Sequence, residues 1–277
     1  MSATPPSPNA RLLLVGCGKM GGAMLAGWID QGTPPANITV IEPDADTGVA
    51  LEDRFGVNVL ADAGALGPDP FDVVLFAVKP QVIDAVVPAF KALARPDTVF
   101  LSIAAGKPIA AFEALLGEDA AIIRTMPNTP AAIHKGITVA VANGHVRNAQ
   151  IALCQMLLEA VGQVAWIDDE SLMDAVTAVS GSGPAYVFLL AECLAEAGIK
   201  AGLPADLAAQ LARATIAGAG ALLGGASETP THLRANVTSP GGTTAAALEV
   251  LMEKDGLSAL LTRAVQAAKA RSKELAG

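Results

Sequence analysis

Short apolar runs alternate with amphipathic stretches along the first 145 residues of the chain. Apolar runs bounded by glycine, proline and acidic residues predict strands at residues 11–15, 38–42, 57–60, 72–78, 98–104, 121–125 and 137–142. Helical periodicity predicts a helix directly after the first strand and further helices at residues 44–54, 80–93 and 108–116. Because strands alternate with helices and several are apolar throughout, the pattern predicts a doubly wound parallel α/β sheet.

The pattern changes near residue 145. From Arg147 onward, apolar positions recur every three or four residues and predict helices at residues 147–161, 169–179, 184–201, 204–223, 230–237, 242–253 and 256–274. A short extended segment, residues 164–167, interrupts them. We therefore expect an α/β domain at residues 11–167 and an all-α domain at residues 168–277. Residues 1–10 are rich in proline and serine and are expected to form a disordered leader.

The first predicted strand ends in a turn of the form G-x-G-x-x-G, which we call the glycine turn (residues 16–21). Its candidate cofactor-binding residues are Gly16, Gly18, Lys19, Met20 and Gly21. The first glycine permits a tight bend, the second lets backbone approach a pyrophosphate, and the third lets the helix lie close to the strand. The helix start then offers N–H groups and a positive dipole end to the phosphates.

The second predicted strand ends in Glu42, about twenty residues after the glycine turn, where an acid can bind an adenosine ribose 2′-OH. Together these features predict a nicotinamide dinucleotide site on a Rossmann-like domain. A purely structural glycine turn is the alternative.

Loops at the carboxyl ends of parallel strands face a bound cofactor. Three such loops supply candidate residues: Ala77, Val78, Lys79 and Pro80 in the first, Ala104, Ala105 and Gly106 in the second, and Asn128 in the third. Their position after successive strands favours cofactor contact, although each loop is also explained as a strand-terminating turn.

The segment 239–244, Ser-Pro-Gly-Gly-Thr-Thr, precedes an apolar helical run. Ser239 has the chemistry of an N-cap, Gly242 leaves its amide uncovered, and Thr243 and Thr244 place hydroxyls in the first turn. Such a helix start binds a carboxylate; an ordinary capped helix is the alternative. Residues 180–184, Ser-Gly-Ser-Gly-Pro, form either a helix-joining turn or a tight packing site beside the nicotinamide.

Charge and composition indicate which classes of partner the protein is expected to bind. The net charge of −9 argues against nucleic acid. The mean hydropathy of +0.46 is high, but the uncharged stretch between Asp174 and Glu192 is interrupted by Gly-Ser-Gly-Pro, unlike a membrane-spanning helix. We therefore expect no membrane partner and assign the surplus apolar surface to a subunit interface.

Cysteine and histidine usage points to a cytoplasmic protein without a metal. Cys17, Cys154 and Cys193 are widely spaced and form no C-x-x-C pair, as expected of reduced, mostly buried thiols. The three histidines share no ligand spacing, so no metal site is predicted.

The chain also lacks the tyrosine–lysine proton donor of short-chain carbonyl reductases. Tyr186 is the single tyrosine, and Leu190 stands where that lysine would be. A hydride transfer without a strong general acid favours a substrate that arrives protonated. A protonated imine fits, because it needs orientation more than proton donation.

At this point the motifs resemble those of pyrroline-5-carboxylate reductases along nearly the whole chain after residue 10. The likeness rests on the glycine turn and on residues 77–80, 124–130, 180–186 and 239–244, in that order. The resemblance implies NAD(P)H-dependent reduction of the imine of 1-pyrroline-5-carboxylate to L-proline, the last step of proline biosynthesis. It also implies homodimers with interleaved helical dimerisation domains, which some family members assemble into decamers.

The resemblance further assigns the substrate site. The substrate carboxylate is expected against Ser239, Gly242, Thr243 and Thr244. The hydroxyl of Thr244, the candidate catalytic group, is expected to hydrogen-bond the ring nitrogen and to help present the imine carbon to the nicotinamide.

Glu42 stands where this family often has a small hydroxyl residue that serves NADPH. Asp44 and Asp46 follow it, and no lysine or arginine occurs before Arg54. A carboxylate repels a 2′-phosphate and accepts a hydrogen bond from a free 2′-OH. We therefore expect the enzyme to use NADPH or NADH, with NADH favoured. The alternative is that Glu42 points to solvent while a distant basic group accommodates NADPH.

Two other functions compete with this assignment. A β-hydroxyacid dehydrogenase shares the glycine turn and a helical second domain, but such enzymes place a lysine in a K-x-x-x-N helix. Here Lys200 is followed four residues later by Pro204. A redox-sensing dinucleotide-binding regulator would leave segment 239–244 without a role, and the acidic chain offers no DNA-binding element.

Overall fold

The computed structural model describes residues 10–276, with side chains as far as Leu275. The predicted leader therefore lies, except for Ala10, outside the described residues. The described chain forms two compact units. The first runs to Gly181 and includes the residues from Lys269 onward, and the second is Ser182–Ala268.

An eight-stranded sheet is the centre of the first unit. Its strands are β1 (Leu12–Val15), β2 (Ile38–Ile41), β3 (Asn58–Leu60), β4 (Val73–Phe76), β5 (Val99–Ser102), β6 (Ala121–Met126), β7 (Gly136–Ala142) and β8 (Gly162–Trp166). Their spatial order is β3-β2-β1-β4-β5-β6-β7-β8. The winding direction reverses between β1 and β4, and ligands of doubly wound sheets bind at such a switch point. We call the side at which β1, β2, β4, β5 and β6 end the carboxyl edge.

The predicted doubly wound sheet is confirmed, but it is not parallel throughout as predicted. Strands β1 to β6 pair in parallel, whereas β7 is antiparallel to β6. Only residues 127–135 join β6 to β7, and a parallel crossover needs about a dozen residues or more. The short apolar segment at residues 164–167 contributes to edge strand β8, which pairs in parallel with β7.

Helices cover both faces of the sheet. The α-helices of the first unit are α1 (Lys19–Asp30), α2 (Ala45–Phe55), α3 (Ile83–Val86), α4 (Ile109–Leu116), α5 (Asn148–Glu159) and α6 (Met173–Val176). Successive strand residues point to opposite faces. Leu12 and Leu14 of β1 accordingly pack with α1, α2 and α5, whereas Leu13 and Val15 pack with the segments around α3 and α4.

Two predicted helices are broken into shorter turns. Residues 80–93 form a 3₁₀ turn (Pro80–Val82), α3 and a second 3₁₀ segment (Val87–Leu93), because Pro88 has no N–H to continue an α-helical ladder. Residues 169–179 form a 3₁₀ turn (Glu170–Leu172), α6 and a π-helical turn (Thr177–Gly181). In that segment the hydroxyls of Thr177 and Ser180 donate to backbone carbonyls four residues earlier, a pattern that bends helices.

The second unit is helical. Its elements are α7 (Gly183–Lys200), α8 (Ala205–Gly225), α9 (Pro230–Asn236), α10 (Thr243–Leu251) and α11 (Leu257–Ala276), the last of which continues into the residues of the first unit. The close approach of α7 to α8 depends on Gly198, since a Cβ there would lie 3.3 Å from Ala208 Cβ. These boundaries match the predicted helices to within a few residues.

Much of the apolar surface of the second unit is uncovered. Phe188 of α7 is 62% exposed and Leu222 of α8 is 60% exposed. A groove of about 840 Å³ among α9, α10 and α11 is lined by Leu248, Leu251, Leu261 and other mainly apolar residues. Faces of this kind are typical of helices that are completed by another subunit.

Candidate functional site

The glycine turn follows β1 at the carboxyl edge, and each glycine meets a different steric demand. Gly16 has φ +84°, and a Cβ there would lie 2.7 Å from Val78 Cγ1. A Cβ on Gly21 would lie 2.7 Å from the carbonyl oxygen of Gly16, whereas one on Gly18 meets nothing within 4 Å. The turn therefore bends at Gly16, packs tightly at Gly21 and leaves open space at Gly18, which fits a bound pyrophosphate.

The amino end of α1 is open to an anion. Gly18 is its N-cap, no side chain caps its first N–H groups, and its first turn contains no acidic residue. Lys19 in that turn is exposed, and Met20 is half-buried. Free N–H groups, the helix dipole and a lysine together give this end a positive potential.

Glu42 reaches the glycine turn from the end of β2. Its Oε2 accepts a hydrogen bond from Cys17 N at 3.1 Å, and its Oε1 accepts one from Asp44 N at 3.2 Å. The side chain is half-buried. Two backbone amides thus hold the carboxylate beside the turn, and it does not extend freely into solvent.

A second acid adds negative charge here. Asp44 is the N-cap of α2 and accepts a hydrogen bond from Thr47 N at 2.8 Å. Hydrogen bonds from the Thr47 side chain and backbone lower the pKa of Asp44, so this exposed carboxylate is ionised at neutral pH.

The cysteines are not poised as nucleophiles. Burial, reinforced by the negative charge of Glu42, raises the pKa of Cys17 to about 11. Burial raises the pKa of Cys154 to about 12. Both thiols are therefore neutral at pH 7. Cys193 is free and exposed, so the expectation of buried thiols holds for two of the three.

The other predicted cofactor residues of the first unit lie along the same edge. Ala77 N donates to the Val15 carbonyl at 2.8 Å, and Val78 lies against Gly16. Lys79 is exposed and precedes Pro80, the first residue of a 3₁₀ turn.

The neighbouring loops are held by their own hydrogen bonds. Ala104 N donates to Ser102 Oγ at 3.2 Å, Ala105 follows, and Gly106 has φ +74°. After β6, Asn128 Oδ1 accepts a hydrogen bond from Ile137 N at 3.0 Å. The structure therefore brings the predicted residues after β1, β2, β4, β5 and β6 to one edge.

One buried ion pair at this edge was not predicted from sequence. The guanidinium of Arg124 on β6 lies 2.7 Å from Glu170 Oε1, and its side chain is 7% exposed. The signal that points to it is an arginine inside the mostly apolar strand run of residues 121–126, since buried arginines require a partner.

The predicted carboxylate-binding segment lies in the second unit, and its cap differs from the prediction. Gly242, not Ser239, is the N-cap of α10, and no side chain caps the helix. Ser239 contributes its carbonyl instead, which accepts a hydrogen bond from Gly242 N at 3.0 Å, while Gly241 takes φ +67°. With that turn formed by backbone, the helix begins one residue after Gly242.

The Gly242 amide, predicted to be uncovered, is thus engaged in this turn, whereas the two predicted hydroxyls are present. Thr243 and Thr244 occupy the first turn of α10, which contains no acidic residue. Thr244 is half-buried and Thr243 is exposed. In the described residues there is no cluster of three or more histidine, cysteine or acidic side chains that would hold a metal ion.

Similarity to known proteins covers both halves of the chain. Residues 170–275 match the family model described as pyrroline-5-carboxylate reductase dimerisation, and residues 11–106 match the model described as NADP oxidoreductase, coenzyme F420-dependent. The pyrroline-5-carboxylate reductase of Pseudomonas aeruginosa is 41% identical over 96% of this chain and 97% of its own length. That of Synechocystis is 42% identical, with 96% and 98% coverage.

Solved structures agree. A pyrroline-5-carboxylate reductase from Coxiella burnetii superposes with a TM-score of 0.91 at 35% identity, covering 97% of this chain and 99% of the other. The Plasmodium falciparum pyrroline carboxylate reductase, solved with NADP bound, has a TM-score of 0.81 at 29% identity, covering 98% and 99%. A pyridine nucleotide is thus the cofactor class that these similarities support.

Two stretches, Glu170–Lys200 and Ala205–Gly225, are long and apolar enough to cross a membrane by length and composition alone. Both lie inside the segment that matches the dimerisation model, which accounts for exposed apolar helices through contact between subunits. The extent and level of the similarity, over both units and from several organisms, identify the chain as a member of the pyrroline-5-carboxylate reductase family.

Proposed function

We propose that this protein reduces the C=N bond of 1-pyrroline-5-carboxylate to give L-proline, using NADH or NADPH. One observation carries the proposal: relatives of that name match 96% of the chain, and the two matching family models span the glycine turn and segment 239–244. The steric fit of Gly16, Gly18 and Gly21 to a pyrophosphate supports the same conclusion from geometry.

The roles that we propose for the chain's residues are those that the family resemblance implies, and the chemistry of the residues fits them. When bound, the reduced nicotinamide supplies a hydride. The free N–H groups in the first turn of α10, at Thr243 and Thr244, hold the substrate carboxylate with help from Ser239 and the backbone of Gly242. The Thr244 hydroxyl hydrogen-bonds the ring nitrogen and orients the imine carbon. No strong general acid is required, because a protonated imine already carries its proton.

We further propose that NADH is the favoured cofactor. The Glu42 carboxylate, fixed by the amides of Cys17 and Asp44, is positioned to accept a hydrogen bond from a ribose 2′-OH. Its charge and that of Asp44 oppose a 2′-phosphate. The backbone amides of the glycine turn and the Lys19 side chain bind the pyrophosphate, which both cofactors share.

The exposed apolar helices of the second unit support a homodimer built from that unit. Further assembly to a decamer is proposed on the family resemblance alone. The three cysteines are free thiols, the state expected in the reducing cytoplasm, where we place the enzyme.

A spectrophotometric assay tests the function. Oxidation of NADH and of NADPH by the purified protein is followed at 340 nm after addition of 1-pyrroline-5-carboxylate, with a 3-hydroxy acid and the oxidised cofactors in a parallel reaction. We expect turnover with the imine only. Turnover of the hydroxy acid would support the dehydrogenase alternative, and cofactor binding without turnover of either would support a regulator.

A further inference from the structure

The carboxylate of Glu170 joins three segments of the first unit that are distant in sequence. Its Oε1 lies 2.7 Å from Arg124 Nη1 near the end of β6, and the same oxygen accepts a hydrogen bond from Ile109 N at 2.9 Å. Ile109 is the first residue of α4, directly after the loop that follows β5. Glu170 itself begins the segment that leads from β8 to Gly181.

These contacts lie beside two loops of the carboxyl edge. Arg124 pairs in register with Ser102 of β5, and the loops that follow these strands contain residues 104–106 and Asn128. Lys107, two residues before Ile109, adds an ion pair in which its Nζ lies 2.8 Å from Asp84 Oδ2. The end of the loop after β5 is therefore held by two contacts, the Lys107–Asp84 ion pair and the hydrogen bond from Ile109 N to Glu170.

The segment that Glu170 begins also touches the end of β6. A Cβ on Gly181 would lie 2.5 Å from Met126 Cε, so the π-helical turn Thr177–Gly181 lies directly against Met126. Met126 precedes the loop that contains Asn128. The segment 170–181 thus contacts β6 twice. Its first residue, Glu170, bonds Arg124, and its last, Gly181, lies against Met126. Single π turns of this kind recur at functional sites.

The ion pair between Arg124 and Glu170 is largely shielded from solvent. The Arg124 side chain is 7% exposed and that of Glu170 is 29% exposed. An arginine at such a depth needs an anionic partner, and loss of that partner leaves a buried charge that the surroundings must rearrange to accommodate. Because Ile109 N depends on the same oxygen, rearrangement at Arg124 would also move the start of α4 and the loop before it.

We propose that Glu170 is a positioning residue of the reductase, which sets the relative placement of the β5 and β6 loops against the bound cofactor. The inference rests on the proposed function, in which residues 104–106 and Asn128 contact the cofactor. Glu170 acts through those loops, far along the chain from the ribose-binding residue Glu42. Loss of the Glu170 carboxylate should therefore weaken the binding of NADH and of NADPH by the same factor. A change at Glu42 should instead alter the affinity for one cofactor relative to the other.

Three substitutions test the proposal. Glu170→Ala is expected to raise KM for both cofactors by about tenfold, which is below the roughly 100-fold that a misplacement of about 1 Å can cost, with a smaller change in kcat. Glu170→Gln keeps an oxygen for Arg124 and Ile109 and should restore most of the affinity. Glu170→Asp keeps the charge but shortens the reach, so it should fall between the two. Asp97→Asn is the matched control, since Asp97 pairs with Arg147 at 2.8 Å in an exposed site before β5.

Direct titration with NADH and with NADPH, followed by nicotinamide fluorescence in the absence of substrate, separates this inference from the proposed function. Loss of 1-pyrroline-5-carboxylate reduction in the wild type would defeat the function and leave the titration meaningful. Wild-type dissociation constants and KM in folded Glu170→Ala, with only a lower melting temperature, would overturn the positioning role. Should that variant fail to fold, unchanged KM in Glu170→Asp would overturn it equally.

Discussion

Replacing Glu42 with serine is expected to change the ratio of kcat/KM for NADH to that for NADPH by about 100-fold in favour of NADPH. Two effects add: a charge-assisted hydrogen bond to the ribose 2′-OH is lost, at about 1.5–3 kcal/mol, and repulsion of the 2′-phosphate is relieved. The geometric basis is the carboxylate held 3.1 Å from Cys17 N at the glycine turn. The measurement is the steady-state rate with each cofactor at saturating substrate and varied cofactor.

A second substitution at this position separates charge from geometry. Glu42→Gln keeps one acceptor oxygen, enough for the amide of Cys17 or of Asp44 but not for both, and removes the charge. It should therefore raise kcat/KM with NADPH while retaining part of the activity with NADH. Glu52→Gln, an exposed acid later on α2, removes the same charge without touching the turn and should leave the ratio unchanged. A wild-type enzyme that strongly prefers NADPH, or a Glu42→Ser variant with an unaltered ratio, would contradict the proposed role of Glu42.

Replacing Thr244 with valine is expected to lower kcat/KM for 1-pyrroline-5-carboxylate by about 10- to 100-fold, the range for loss of a hydrogen bond to a charged group. Valine keeps the shape and removes the hydroxyl, so the start of α10 and its free N–H groups are preserved. Cofactor affinity should remain at the wild-type value, because Thr244 is assigned to the ring nitrogen and not to the dinucleotide. Steady-state kinetics with varied substrate and a separate cofactor titration check both parts.

Two variants control for the effect on folding. Thr244→Ser restores a hydroxyl at the same carbon and should recover most of the activity. Thr262→Val removes a hydroxyl that donates to the Ser258 carbonyl within α11 and should leave kcat/KM unchanged. Equal kcat/KM for Thr244→Val and the wild type would remove Thr244 from the mechanism.

The sequence predicts the secondary structure best where strong local signals mark the ends of elements. Helices α7 to α11 each begin beside proline or glycine, and their observed boundaries lie within a few residues of the predicted ones. Residues 80–93 are amphipathic enough to predict one helix, but Pro88 inside the segment breaks its hydrogen-bond ladder. The antiparallel direction of β7 was missed because an apolar run has the same periodicity in either direction; the short connection from β6 was the available signal.

The candidate site likewise has features that the sequence predicts and features that it does not. The glycine turn and Glu42 could be predicted together, since the spacing between a turn and the end of the next strand is a local property of a strand–helix–strand unit. The contact of Glu170 with Arg124 and Ile109 could not be predicted, because no periodic pattern connects residues in three separate segments. The sequence predicts Ser239 as the N-cap of α10, whereas the structure has Gly242 there. The difference arises because the backbone turns at Gly241, and the preference of serine for the N-cap position does not reveal such a turn.

Isotope transfer from the cofactor tests the central claim most directly. The wild-type protein is incubated with 1-pyrroline-5-carboxylate and NADH that carries deuterium at both positions of nicotinamide C4, and the product is analysed by mass spectrometry and NMR. The account predicts L-proline with one deuterium per molecule, on the ring carbon that was the imine carbon, in equal amount to the NADH oxidised. Oxidation of NADH without labelled proline, or no oxidation in the presence of the imine with either NADH or NADPH, would contradict it.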